Sequence, residues 1–456
     1  MAKKKCKSCQ MYKKELDGLK EEIRLIKLEL TDLKTKTFKR KKKNPKDDDK
    51  ETPAPKKKGG LFGHPGWFRK KPKHIHKTEE VKLDKCPCCG SEDLTEYDGI
   101  EEHIQEDIVL PKVEATLYRK KVYYCKKCKK AVTGKGKNEL PRSYIGPIAK
   151  AWAVFLKFGV KVSDRDIQKL FEAMGLKIVA SSIVGFRDQL KREAEDIYKK
   201  LIESLKTGKF IHGDETGARI DGETAWRWKF SNKKVSVTHT DKRRGQKVVE
   251  KILGESYDGV LISDFLSAYN KILTKAKQKC LVHLLRDLKK VIKACVDDEE
   301  ILRYCGRLKY ILTEAINLHK DYKGKKWNRA YKKKRELIVQ QLDDFYFPNP
   351  GNKILVRFAK RLRRHKKELF VFLYIEGIDY HNNHAEQQIR PDVLLRKITY
   401  GNRSEKGAQV HDVVMSVLQT AKLNHLDPVK TFREILLSTG KNPFTEILTP
   451  PKTSSP

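Results

Sequence analysis

The sequence predicts a multidomain α/β protein, with a mixed sheet carrying a helical insertion in its C-terminal half. Three observations carry that prediction. A leucine and isoleucine heptad lies near the start, two closely spaced cysteine pairs follow, and from Lys209 the apolar pattern changes from helical to alternating. The chain has 456 residues, room for about two to four structural units at roughly 100–200 residues each.

The elements follow in order. Leu16, Leu19, Ile23, Ile26, Leu30 and Leu33 are spaced 3, 4, 3, 4, 3 with charged residues between them. This is an a/d seam and predicts a short coiled coil over 1–36, hence a homo-oligomer. The alternative is a single amphipathic helix docked on its own chain. Residues 37–80, including FKRKKKNPKDDDKETPAPKKKGG, are too charged and Pro-rich to pack a core and read as a basic linker. Residues 1–80 hold 26 Lys/Arg against 12 Asp/Glu, a net +14. The segment GGLFGHPGWFRKKP reads either as a basic loop lying along a phosphate backbone or as a tether.

Seven of the ten cysteines precede residue 130. Ten are too few for a disulfide scaffold in a chain of this length, and their close pairing points to metal in a reducing compartment. Cys86-x2-Cys89 and Cys125-x2-Cys128, 35 residues apart, predict a zinc ribbon over 81–135, because tetrahedral Zn²⁺ takes four thiolates from two such knuckles. Cys88 reads as a spectator. Cys6 and Cys9 have no second pair nearby and carry no assignment.

Residues 142–208 predict helices over Ile145–Phe158, Asp164–Met174 and Ser181–Leu205, the second capped by Ser163 and ended near Gly175. Two short helices, a Gly turn and a third helix resemble a helix-turn-helix, as does any small helical bundle. Charge adds weight to a nucleic-acid role. Lys plus Arg is 100 and Asp plus Glu is 60, a formal +40 that suits a polyanion such as double-stranded DNA. A lysine-rich composition serving solubility is the plainer alternative. No apolar run is long enough to span a bilayer, and no apolar stretch follows the first lysines, which argues against membrane insertion and export and predicts a cytoplasmic, nucleoid-associated protein.

From Lys209, KFIHGDETGARI, TAWRWKF and KVSVTHT read as three antiparallel strands, Gln246–Leu253 as a helix, YDGVLISD as a buried strand and QKCLVH as a strand entering a helix. Three antiparallel strands, then a helix, strand, helix and strand, is the order of an RNase H-like sheet, predicted over 209–405. Lys-rich helical sequence from about 297 to 364 forms an insertion. Helices over 406–440 pack on the domain, and 441–456 is a flexible tail. Neighbouring strands bring Asp214 and Asp264 side by side, a hard-oxygen pair suited to Mg²⁺. Glu386, in HNNHAEQQIRP, is the candidate third acid, with Arg390, Arg396, Lys397 and Arg403 following as cations for phosphate.

The runs DETGARIDGETAWRWKF, GVLISDFLSAYN, CLVHLLRDLKK and NNHAEQQIRPDVLLRKITYGNRSEKGA resemble the transposases of the IS66 family of insertion sequences. GHPG, the CxxC pairs and the helices before Asp214 fall in that family's order, so the resemblance covers about residues 59–438. It implies a DDE transposase that binds terminal inverted repeats and catalyses metal-dependent strand cleavage and transfer. Its acids map onto Asp214, Asp264 and Glu386, and its cofactors are catalytic Mg²⁺ or Mn²⁺ and structural Zn²⁺. Two ions about 3.5–4 Å apart would activate the attacking oxygen and stabilise the leaving one, with Asp264 bridging them and no covalent protein–DNA intermediate. Gln387 stands where many members have Arg; Arg390, one helical turn past Glu386, keeps the positive surface. Other proteins of the same element are possible partners. The competing readings are a non-catalytic DNA-binding relative and a nuclease that does not join strands.

Around these acids the plainer readings are as follows. Glu215 points to the opposite face from Asp214, and Asp258 is a turn residue. Trp226 and Trp228 belong to the core rather than to a DNA platform. His283 is a satisfied core histidine rather than a neighbour of the acids. Asn382 and Asn383 cap the Glu386 helix.

Overall fold

The structure, a computed structural model, describes residues 113–127, 129–345, 352–437 and 442–448, with Ile23, Ile75 and Thr78. The chain divides into two compact units, Met1–Thr37 with Val113–Pro456, and Phe38–Lys112. The expected linker, Cys6, Cys9, Cys86, Cys89, Cys128 and the last residues of the tail lie outside the described residues. So does the expected coiled coil, apart from Ile23, which is helical and exposed.

A hairpin of β1 (Val122–Cys125) and β2 (Lys130–Thr133) comes first. Helices α1 (Pro147–Phe155), α2 (Asp164–Ala173) and α3 (Ala180–Lys206) follow, with a π-helical turn over Leu156–Val160. Ser163 caps α2, its hydroxyl accepting the Asp166 N–H at 3.1 Å. Then come β3 (Phe210–Ile220), β4 (Glu223–Ser231), β5 (Ser236–Asp241), α4 (Gln246–Leu253), β6 (Ser256–Ser263) and β7 (Leu273–Lys279). Next are α5 (Leu281–Ala294), α6 (Glu299–Asp321), α7 (Arg329–Asp343) and α8 (Lys353–His365). The chain closes with α9 (Asn383–Thr399), α10 (Glu405–Leu423), α11 (Pro428–Leu437) and the short α12 (Thr445–Leu448).

Five strands form one mixed sheet in the order β5-β4-β3-β6-β7. The pairs β3–β4 and β4–β5 are antiparallel, and β3–β6 and β6–β7 parallel. The β3–β4 link is Asp221-Gly222 with φ of 50° and 77°, a two-residue turn whose twist matches the strands it joins. Two expectations change here. Between β6 and β7 there is only a 3-10 turn over Ser267–Tyr269, not a helix. Of QKCLVH, only Gln278 and Lys279 are strand, and α5 starts at Leu281. The last strand is instead the lysine-rich LTKAKQK, whose polar character suits an edge; the apolar CLV supplies the buried start of a helix. Asp258 also lies within β6, beside a register shift, and not in a turn.

The other edge, β5, is closed by side chains of α10. The backbone N–H groups of Ser236, Thr238 and Thr240 donate to Thr420 Oγ1 (3.1 Å), Ser416 Oγ (2.8 Å) and Asp412 Oδ2 (2.7 Å). Four helical residues rise about 6 Å and two strand residues about 6.8 Å, so the two ladders stay in step. This accounts for a helix buried along most of its length that still carries polar residues every four positions.

Helices α1–α3 share one core with α10 and α11, through residues such as Val154, Phe186, Leu190, Val414, Leu418 and Phe432. Helix α3 also reaches the sheet, where the Tyr198 hydroxyl donates to the Thr238 carbonyl at 2.8 Å. Helices α5–α8 build a separate core on β6, with Ile262, Leu284, Leu308, Leu312, Leu355 and Phe358 buried together. Asp298, Asn328 and Asn352 cap α6, α7 and α8.

Candidate active site

Strands β3 and β6 are parallel neighbours, with His212 opposite Ile262. Two residues further along each chain stand Asp214 and Asp264, so the parallel register itself sets the two carboxylates at the same end of adjacent strands. Asp264 follows the last residue of β6 in a tied turn. Its Oδ1 accepts the Leu266 N–H at 2.9 Å, and the buried Lys279 ammonium holds the Asp264 carbonyl at 3.0 Å and Ser263 Oγ at 3.2 Å. Burial pulls Lys279 down to about 8.

Glu386 arrives on the first turn of α9, and four polar ties dock that helix on the sheet. Asn382 is buried; its Nδ2 donates to the Gly213 carbonyl at 2.8 Å and its Oδ1 faces His212 Nδ1 at 3.1 Å. The expected helix cap is therefore absent: Asn382 makes no capping bond and joins α9 to the strand that carries Asp214. His384 Nε2 lies 2.9 Å from the Asn232 carbonyl. Asp392 pairs with Lys229 of β4 at 3.0 Å, both fully buried. Arg396 donates to the Gly217 carbonyl of β3. In β4, Lys229 lies directly opposite Asp214, so one tie acts beside the candidate acid itself.

The acids sense one another. Burial, then Glu215, Asp264 and Glu386, push the Asp214 carboxyl up to about 8. Burial and Asp264 also push Glu215 up, while Arg244 opposes them. Glu215, expected on the face opposite Asp214, is no bystander: after burial it is the strongest influence on the Asp214 carboxyl. It sits 2.7 Å from Arg244 and accepts from the Tyr269 hydroxyl at 3.1 Å. Gly213 lets that ring close in, since a Cβ there would lie 2.9 Å from Tyr269 Cε1. The Arg244 guanidinium lies 4.0 Å over Trp226, and Trp228 is fully buried edge-on to Tyr269. Trp228 is thus core, and Trp226, half-buried against the same core, also lies beneath Arg244. This Glu215–Tyr269–Arg244–Trp226 group was not foreseen from the sequence, where the one available signal is a pair of adjacent acids within a strand.

Of the four cations expected at phosphate, Arg390, Lys397 and Arg403 are exposed, and so is Gln387. Arg396 is half-buried and bonded to β3, a structural clamp.

His283 is not a satisfied core histidine. It is half-exposed, its Nε2 stands 3.8 Å from Glu386 Oε1, and its Nδ1 is buried without a hydrogen-bond partner. Glu386 Oε1 is likewise buried and unpartnered. Among the described residues, the three donors that come within 4.8 Å of one another are those of Cys280, His283 and Glu386, not those of the three acids. A divalent cation still fits the chemistry of the acid set. Its donors are hard carboxylate oxygens, and burial together with the charges of Glu215, Asp264 and Glu386 pushes the Asp214 carboxyl up.

Beside this cluster lies a second buried one of opposite character. Asp392 also meets His411 Nε2 at 2.7 Å. Burial pushes Asp392 up, but Lys229 and His411 override it and hold the carboxyl well below the usual range. Asp412 bonds the Thr240 N–H and hydroxyl at 2.7 and 2.6 Å, and burial raises it to about 7.

The model of the transposase IS66 family matches residues 142–410. Two proteins of Sinorhizobium fredii (strain NBRC 101917 / NGR234) are similar over most of the chain. One, described as uncharacterized protein y4qI, is 24% identical across 82% of this chain and 75% of its own. The other, uncharacterized protein y4hP, is 21% identical across 79% of this chain and 72% of its own. The matched span contains Asp214, Asp264 and Glu386 together with the sheet and helix that carry them, and this chain belongs to the IS66 family of transposases.

Proposed function

We propose that this protein is a DDE transposase that binds the terminal inverted repeats of its insertion sequence and cleaves and joins DNA strands. Family membership places it among enzymes acting on DNA. The observation that carries the finer reading is the acid cluster: Asp214 and Asp264 each stand two residues beyond the His212–Ile262 pair of β3 and β6, and burial with Glu215, Asp264 and Glu386 pushes the Asp214 carboxyl up to about 8. The strand order, three antiparallel followed by two parallel, supports an RNase H-like catalytic domain with α6–α8 as its insertion.

Asp214, Asp264 and Glu386 would hold Mg²⁺ or Mn²⁺, which would lower the pKa of the attacking water or 3′-hydroxyl and stabilise the leaving oxygen. The chain's own groups do the rest. Asn382, Asp392 and Arg396 hold the Glu386 helix on the sheet, and Lys279 fixes the Asp264 turn. The exposed Arg390, Lys397 and Arg403 offer cations to the phosphate backbone. Zinc held by Cys86, Cys89, Cys125 and Cys128, helix-turn-helix contacts from residues 142–208 and a dimerising coiled coil complete the proposal. Among the described residues no helix is long and apolar enough to cross a membrane.

The test is Mg²⁺-dependent cleavage and joining of a labelled duplex bearing the element's own end, by wild type and by Asp264→Asn. The expected result is cleavage and joining by the wild type and neither by the variant. Specific binding by both with chemistry by neither, with the element's other proteins present, supports a non-catalytic DNA-binding protein instead. Cleavage without joining supports a nuclease.

A further inference from the structure

Cys280 and His283 are set by local geometry. Cys280 follows β7 and immediately precedes α5, and His283 is three residues on, so the first helical turn brings both to one side. Glu386 reaches the same point from the first turn of α9, because the Asn382 N–H that precedes that turn donates to Cys280 Sγ at 3.3 Å. The sulfur, a ring nitrogen and a carboxylate oxygen all lie within 4.8 Å of one another. Two polar atoms here, Glu386 Oε1 and His283 Nδ1, are buried without hydrogen-bond partners. Leaving such a group unsatisfied is unfavourable, and a cation would relieve the carboxylate oxygen.

The donor chemistry selects the ion. Mg²⁺ takes oxygen ligands. A thiolate, an imidazole and a carboxylate together suit Zn²⁺ and its relatives, which bind three such protein ligands and leave a fourth position open. We propose that Cys280, His283 and Glu386 form a binding site for a thiophilic divalent cation of the zinc class, separate from the oxygen set of Asp214 and Asp264. Binding displaces the Cys280 thiol proton to solvent. Occupation withdraws Glu386 from the other two acids, so zinc opposes Mg²⁺-dependent chemistry; this last step rests on the transposase reading above, whereas the site itself does not.

The full-length metal-free chain is titrated with Co²⁺, reading bound equivalents and the thiolate-to-cobalt charge-transfer absorption, for wild type, Cys280→Ser and His283→Ala. The cysteines of the N-terminal pairs contribute equally to all three. The expected result is one fewer equivalent in each variant and a weaker charge-transfer band in Cys280→Ser. Equal stoichiometry in the three proteins overturns the site. Circular dichroism checks folding, and the half-exposed His283 keeps the question answerable where the buried Cys280→Ser fails to fold. In a second arm, micromolar Zn²⁺ is added to the Mg²⁺-dependent cleavage reaction, once the N-terminal cysteines are filled. His283→Ala is expected to need at least tenfold more Zn²⁺ for half inhibition than wild type; equal sensitivity overturns the competition for Glu386. Absence of Mg²⁺-dependent cleavage in the wild type refutes the transposase reading alone, and the cobalt count then decides the site.

Discussion

Helix α9 serves two buried clusters of charge that behave in opposite ways. At its first turn, Glu386 joins Asp214, Glu215 and Asp264, and Asp214 is driven up to about 8. Two turns on, Asp392 is buried at least as deeply, yet Lys229 and His411 hold it well below the usual carboxylate range. Burial acts alike on both carboxylates; their neighbours decide the sign. The Asp392 cluster is closed, each charge answered by another, and it holds the helix to the sheet. The Asp214 cluster is only partly answered: Arg244 pairs with Glu215, while Asp214 is pushed up by burial and by the acids around it. The difference separates charges paired with one another from acids raised by burial and by other acids.

The largest expected effect breaks the closed cluster. Asp392→Ala strands the Lys229 ammonium in the interior and should cost on the order of 3–5 kcal/mol. Replacing both partners, Lys229→Met with Asp392→Leu, should be far milder, because no buried charge is left alone. Urea denaturation compares the two; a single variant no worse than the double would show that the pair does not anchor α9.

The Asp214 cluster should respond in the reverse sense. Asp214, raised to about 8, must take up a proton to fold at pH 7, whereas Asn needs none, so without metal Asp214→Asn should melt about 2 °C or more above wild type at pH 7. Mg²⁺ at about a hundred times its dissociation constant should add about 2.7 kcal/mol to wild type and little to Asp214→Asn. Scanning calorimetry with and without Mg²⁺ reads both changes. Equal protection by Mg²⁺ in the two proteins would remove Asp214 from the metal site.

The smallest effect is a slope. Asp412 is raised to about 7 in the folded chain, against an ordinary value of 3.8. The folded state therefore keeps this proton at pH values where the unfolded chain has released it. The associated stability is full below about pH 4 and declines as pH rises toward 7. Asp412→Asn retains an acceptor for Thr240 and should flatten that decline in melting temperature. Parallel curves from pH 4 to 8 would mean that the Asp412 carboxyl is not buried as described.

Much of this was legible along the chain. Alternation in TAWRWKF and KVSVTHT marks strands β4 and β5, and Ser163 marks the start of α2. Asp214 and Asp264 stand out because each ends an apolar run. Other features were not legible, for identifiable reasons. CLVH is apolar enough to pass for strand, and nothing local says that the chain turns into a helix at Leu281. Asp392 occupies the buried stripe Ala385–Ile389–Asp392–Leu395, where a carboxylate makes sense only once Lys229 is known to face it. Arg396 and Arg390 look alike in sequence, yet one clamps Gly217 and the other is exposed.

The sequence by itself determined which segments alternate, which caps start helices and how the cysteines are spaced, because these follow from side-chain chemistry within a few residues. Tertiary structure alone decided that Asp412, Ser416 and Thr420 close the edge of β5, that Glu215 meets Arg244 and Tyr269, and that Cys280, His283 and Glu386 converge. Apart from Cys280 and His283, which share one helical turn, those contacts join residues from 29 to 184 positions apart, and the free energy that selects them comes from burial and pairing across elements, which no local pattern records.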